Sequence, residues 1–220
     1  HILEEANKNL YDGVSIEDAR TSLVMTSRTL VEQEPNYTYV TARILLDNIR
    51  TESLTYLGMQ KQATQKEMAT LYPEALRNFL AKGVENEILN PELLEMDVEK
   101  LGQAIISSRD NDFTYLGLQT LFDRYFIHDN EVRYELPQVF FMRVSMGLAL
   151  REDQREDRAI EFYNLLSSFD YMSSTPTLFN SGTKHSQLSS CYLTTVPDDL
   201  HGIYGAIQDN AMLSKWAGGL

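Results

Sequence analysis

Between Ser173 and Cys191 the chain reads Ser-Ser-Thr-Pro-Thr-Leu-Phe-Asn-Ser-Gly-Thr-Lys-His-Ser-Gln-Leu-Ser-Ser-Cys, placing the single thiol of the sequence behind a run of hydroxyls. So polar a span is expected at a site or surface and not in a core. Cys191 follows Ser189 and Ser190 and opens a β-prone run to Thr195. That order would set a thiol at a strand end, where α/β folds place reactive groups. A resting thiol has a pKa of about 8.5, and no Lys or Arg adjoins Cys191 in sequence to lower it. Nucleophilic catalysis is therefore not indicated, whereas hydrogen-atom transfer or thiol–disulfide exchange is compatible. The plain alternative is a small buried hydrophobe, the usual place of a lone cysteine.

Other candidates carry weaker signals. Asp198 and Asp199 follow Val196-Pro197 and could orient a ribose hydroxyl, although acids after a proline commonly just form a turn. In Lys215-Trp216-Ala217-Gly218-Gly219 the glycines either stop a helix or let backbone approach a ligand. His1, His128, His185 and His201 fall at turns or ends without metal-site spacing, so no metal is assigned.

Composition bounds what these residues could serve. The 220 residues, 43% hydrophobic, are enough for a sizeable core. Nineteen basic against 32 acidic residues give a net charge of −13, which disfavours nucleic acid as a partner. No apolar run approaches the roughly 18 residues of a membrane span, and no secretory pattern opens the sequence, so a cytoplasmic protein without a membrane partner is expected. One cysteine excludes an internal disulfide framework.

The elements that must hold these groups read as mainly α. Ser15 and Asp18 approximate a capping box, with Ala19, Leu23 and Leu30 on one face up to Pro35-Asn36. A second helix is expected from Tyr37 toward Arg50, then a polar joint from Thr51 to Ala63. Helices follow from Gln65 to Lys82, stopped by Gly83, and again after Asn90-Pro91-Glu92. After an Asp110-Asn111-Asp112 turn come a helix from Leu116 to Phe126 and a hairpin turning at His128-Asp129-Asn130. Pro137 to Leu150 is apolar nearly all round and is expected to be a central helix. Its neighbour, Glu156 to Met172, should bury Ile160, Tyr163, Leu166 and Phe169. Beyond Ser173 short β-prone runs are expected, then a helix from Ile203 to Lys215.

Taken together, Thr175 to Gly182, Gln187 to Cys191 and Lys215 to Gly219 resemble the large catalytic subunit of class I ribonucleoside-diphosphate reductase. Phe113-Thr114-Tyr115, Leu121, Tyr125 and Glu135-Leu136-Pro137-Gln138 resemble that family's helical N-terminal domain. Tyr11-Asp12-Gly13 and Pro35 to Arg43 are similar to the later helices of its ATP-cone. The implied organisation is residues 1–50 as the C-terminal part of an ATP-cone, 51–172 as a helical domain, and 173–220 as the first strand and helix of a ten-stranded α/β barrel.

The resemblance implies that the parent enzyme converts ribonucleoside diphosphates to 2′-deoxyribonucleoside diphosphates. Cys191 matches the first cysteine of the redox pair, Thr175, Ser190 and Gly218 match substrate contacts, and Asp198, Asp199 and Leu200 match the loop for the specificity effector. Ser15 is the sugar-contact candidate of the cone, while Arg50 followed by Thr51 departs from the basic pattern of cones that bind dATP. Implied partners are ATP and deoxynucleotide effectors, a second large subunit, a small subunit whose metal cofactor supplies the radical, and thioredoxin or glutaredoxin as reductant. No cofactor is assigned to this chain itself. The radical cysteine, the second redox cysteine and the C-terminal cysteine pair match nothing here, so the chain alone is expected to be inactive. Two other readings compete: a helical interaction or regulatory module with an inert cysteine, and a stand-alone nucleotide sensor formed by residues 1–50.

Overall fold

The computed structural model describes residues 2–215 and 218–220; His1, and Trp216 and Ala217 of the Lys-Trp-Ala-Gly-Gly segment, lie outside the described residues. Helices α1 (Ile2–Asn7) and α2 (Ile16–Thr29) open the chain. Ser15 caps α2 as its spacing predicts: its Oγ accepts from the Asp18 N–H at 3.0 Å and donates to Asp18 Oδ2 at 2.8 Å. A 3-10 turn, Leu30–Glu32, closes that helix before Pro35.

Helix α3 (Tyr37–Tyr56) takes in the first half of the polar stretch expected to be a joint, and residues 57–63 remain outside any helix. The physical reason is that its polar side chains have partners: Ser53 Oγ donates to the Arg133 carbonyl at 3.1 Å, Glu52 accepts from the Arg133 N–H at 2.7 Å, and Thr51 bonds back to Asp47 O at 2.9 Å. Arg50, which ends the first expected segment, is buried in the middle of this helix.

Helix α4 (Gln65–Glu85) starts on a reciprocal cap, Glu67 accepting from the Thr64 N–H at 2.7 Å and from its hydroxyl at 2.6 Å. Gly83, expected to stop it, lies buried inside it beneath Leu89. After Asn90 the chain makes a 3-10 turn, Pro91–Glu95, then α5 (Val98–Gln103). The supposed Asp110 turn is a third 3-10 segment, Ser107–Asp112, and Asp110 is its one buried residue. Helix α6 (Tyr115–Arg124) leads into the hairpin β1 (His128–Asp129) and β2 (Val132–Arg133), antiparallel with His128 opposite Arg133. Asn130 turns it with φ 51°.

Helices α7 (Pro137–Ala149) and α8 (Arg155–Ser167) form the centre. Phe140, Phe141, Met142, Val144 and Met146 of α7 are wholly buried; each such side chain contributes roughly 2 kcal/mol by leaving water. One apolar cluster runs from Val24 to Leu178 around them. Helix α8 ends five residues earlier than expected. Phe169, expected to be buried, is 41% exposed with φ 63°, its ring against the edges of Phe113 and Phe141 at 5.2 and 6.0 Å.

Beyond Ser173 the chain departs most from expectation. Thr175–Asn180 is a helix, α9, not a β-prone run: Ser174 precedes it and Pro176 sits in its first turn, the ordinary start signal. Cys191 to Thr195 is not a full strand. Cys191 pairs in parallel with Gly219 alone, and Leu193 is 105% exposed. β-propensity expresses packing against neighbouring strands, and among the described residues this run has one rung of ladder. Helix α10 (Leu200–Lys215) follows, with Ala206 its buried residue. No described helix is long and apolar enough to cross a membrane.

Candidate functional site

The thiol segment is built outward from α7. Ser181, just after α9, is buried, and its hydroxyl donates to Val144 O at 2.7 Å. Contact there is so close that a Cβ on Gly147 of α7 would stand 2.1 Å from the Gly182 nitrogen. Ser181 and Thr183, read as part of a surface span, are thus partly structural. Thr177 Oγ1 donates to Leu188 O at 3.3 Å and Asn180 Nδ2 to Gln187 O at 2.8 Å, so α9 carries the stretch that leads to the thiol.

Cys191 is a free, exposed cysteine, with its Sγ 3.7 Å from Ser190 Oγ. The Tyr192 N–H donates to Gly219 O at 2.9 Å and the Gly219 N–H to Ser190 O. This pair of bonds brings Ser190, Cys191 and the backbone of Gly219 together, with Gly218 next in sequence against the Tyr192 ring. A Cβ on Gly218 would lie 2.9 Å from the Tyr192 ring and 3.0 Å from Leu213 O, so the close approach needs glycine. The result is an accessible thiol, a neutral hydroxyl and open backbone on one short edge, chemistry suited to thiol exchange beside a polar ligand.

The other expected residues sit elsewhere. Thr175 lies at the start of α9 with its hydroxyl 3.1 Å from that of Tyr125, whose ring stacks on Phe179 at 4.5 Å. Asp199 caps the start of α10, accepting from the Gly202 N–H at 2.8 Å, while Asp198 and Leu200 are exposed. Thr194 Oγ1 donates to Asn210 Oδ1 at 2.9 Å and holds the run after Cys191 to α10. Between them opens a cleft of about 420 Å³ lined by Tyr192, Leu193, Thr194, Asp209, Met212 and Leu213. Ser15 serves as the α2 cap, in the layer formed with α1 and α3.

Two buried polar centres escaped the sequence reading. Asp110 is 1% exposed and accepts from Arg50 at 2.8 Å, from the Tyr72 hydroxyl at 2.8 and 2.9 Å, and from Gln138 at 3.0 Å. Burial pushes its carboxyl above the ordinary range, opposed first by the Arg50 charge and then by the bonds it accepts. Burial, reinforced by the Asp110 charge, likewise raises the Tyr72 phenol. Arg50 also donates to Gln65, so its guanidinium is committed to the helical core. The second centre is Glu135 with Arg143, both wholly buried and joined by bonds of 2.6 and 3.2 Å. A charge inside an apolar helix pattern, Arg143 in Phe-Phe-Met-Arg-Val, was the available signal.

Residues 111–186 match the family described as "Ribonucleotide reductase, all-alpha domain". Through that segment the chain is similar to the ribonucleotide reductases. More narrowly, it is similar along its length to the large, or alpha, subunit. The ribonucleoside-diphosphate reductase subunit alpha of Chlamydia muridarum is 46% identical over 220 residues, all of this chain and 20% of the relative. The subunit alpha of Helicobacter pylori is 34% identical over 218 residues, 98% of this chain and 26% of the relative. The large subunit of Danio rerio is 35% identical over 218 residues, 97% of this chain and 26% of the relative. The chain thus spans about a fifth to a quarter of the length of the curated relatives it matches.

Proposed function

We propose that this chain is the part of a ribonucleoside-diphosphate reductase large subunit that contributes the first redox cysteine and part of the substrate cradle. The observation that carries the reading is the exposed Cys191 thiol, next to the Ser190 hydroxyl and bridged to the Gly219 backbone. In the reaction the 2′ C–O bond breaks and the oxygen leaves as water. Two thiols, Cys191 and a second cysteine of the parent protein, supply two electrons and two protons and become a disulfide. Thioredoxin or glutaredoxin dithiol then restores them. A radical from the metal cofactor of the small subunit starts the sequence.

In this reading Thr175 and Ser190 donate neutral hydroxyl hydrogen bonds to the diphosphate and ribose, and Gly218 offers its backbone. Asp198, Asp199 and Leu200, at the start of α10, receive the specificity effector, a carboxylate accepting from its sugar hydroxyl. Residues 1–50 belong to an ATP-cone whose last helix continues into the 51–172 domain as α3, and residues 173–220 begin the barrel. The exposed apolar residues Ile203, Tyr204, Ile207 and Met212 of α10 support a surface covered in the parent dimer. An inert cysteine in an interaction module would have its sulfur sealed in hydrocarbon, and the exposure of Cys191 speaks against it.

In the full-length parent protein, Cys191→Ser should abolish thiol-dependent turnover of a nucleoside diphosphate while effector binding stays within about twofold of wild type, because a one-atom change at an exposed site leaves the fold intact. Turnover at the wild-type rate would remove the assignment.

A further inference from the structure

Arg143 makes bonds that its ion pair alone does not require. With Glu135 fixing one side of the guanidinium, its Nη1 donates to the Ser181 carbonyl at 2.6 Å and its Nη2 to the Leu178 carbonyl at 3.2 Å. Those two carbonyls belong to the last turn of α9 and the residue that follows it, groups that a helix end leaves without intrahelical partners. Glu135 in turn accepts from the Ile127 N–H at 2.9 Å, where the chain passes from α6 to the hairpin. Tyr125, two residues earlier, bonds Thr175 and stacks on Phe179. One buried ion pair therefore grips α9 at its far end and the segment between α6 and β1 that meets its near end.

We propose that Arg143 is a positioning residue for substrate: by clamping the Leu178 and Ser181 carbonyls it sets where α9 stands, and so where Thr175 presents its hydroxyl. The proposal rests on the reading of Thr175 as a substrate contact. A planar guanidinium suits the task because it serves Glu135 and both carbonyls from one rigid fork, which an ammonium does not. A residue that acts this way alters binding shared by ground and transition states, and raises KM with little change in kcat.

The test uses the full-length subunit with its radical-supplying partner, measuring kcat and KM for a nucleoside diphosphate and amide hydrogen exchange on the same proteins. Glu135→Gln with Arg143→Met removes both charges together and strands neither, so the fold should survive. Arg143→Lys keeps the charge and serves as the partial rescue, and it carries the comparison if the paired variant does not fold. In the paired variant, exchange at the Leu178 and Ser181 amides should quicken at least about tenfold with α3 and α4 unchanged. KM should rise about tenfold, the scale of one lost charge-assisted bond, with kcat within about twofold. Arg143→Lys should fall between, and adding Thr175→Ala to the paired variant should raise KM by less than about twofold further.

A wild-type KM in the paired variant overturns the proposal, as does exchange that quickens equally in every helix. A raised KM in the paired variant, with none in Thr175→Ala alone, keeps the clamp and moves the contact to another group on α9. Failure of the reductase reading looks different: the wild-type subunit itself would reduce no diphosphate.

Discussion

The helical body up to Gly182 and the arm from Thr183 onward treat polar residues in opposite ways. In the body, Asp110, Glu135, Gln138 and Arg143 are all but sealed from solvent and fully engaged by neighbours. In the arm, Ser190, Cys191, Asp198 and Asp199 are exposed, with side chains that cap a turn or face solvent. The first set is engaged inside one arrangement of helices, and the second is open to solvent. Chemistry-bearing residue types thus say little about role until their surroundings are known.

The contrast breaks most sharply at Asp110. Asp110→Ala leaves Arg50 buried without its charge partner and should cost on the order of 3–5 kcal/mol in urea unfolding. Asp198→Ala, an equal change of charge in the arm, should stay within about 0.5 kcal/mol. Equal losses would dissolve the distinction between the regions. A smaller effect is expected where body and arm meet: Gly147→Ala forces a methyl against the Gly182 backbone and should cost about 1–3 kcal/mol, and a neutral result would mean the contact is loose.

The smallest effect concerns the rim of the body. The Thr64 hydroxyl and N–H hold Glu67 below the usual carboxylate range, and Arg151 holds Glu92 there too. A lowered folded-state value stabilises above the unfolded value and loses that contribution as pH falls through the lowered one. Melting temperature should therefore decline on acidification below about pH 4, and Glu67→Gln should flatten that slope slightly. An unchanged slope would show that the cap of α4 contributes nothing measurable.

Local signals carried most of the body. Ser15, Pro91, Asn130 and the all-round apolar run of α7 each have one dominant conformational meaning, and the chain follows it. What misled were signals whose outcome depends on distant partners. Thr51 to Tyr56 looks polar, yet Arg133, 80 residues away for Ser53, makes it a helix. Asp110 looks like a turn former, and only the convergence of α3, α4 and α7 turns it into a buried hub. Of the site, the thiol, its hydroxyl neighbour and the glycine pair were legible from spacing. The grip of Arg143 on α9 was not, because a carbonyl acceptor leaves no mark on the sequence.

The apolar cluster closes by Leu178, before the thiol is reached in chain order. Synthesis adds about 5–20 residues each second, and structure tends to form from the N-terminal side first. On a ribosome, α7 would already be enclosed when Cys191 emerges, so the sulfur would meet a finished surface rather than a collapsing coil. An oxidisable group that emerges after this core has closed has fewer chances to form the wrong mixed disulfide.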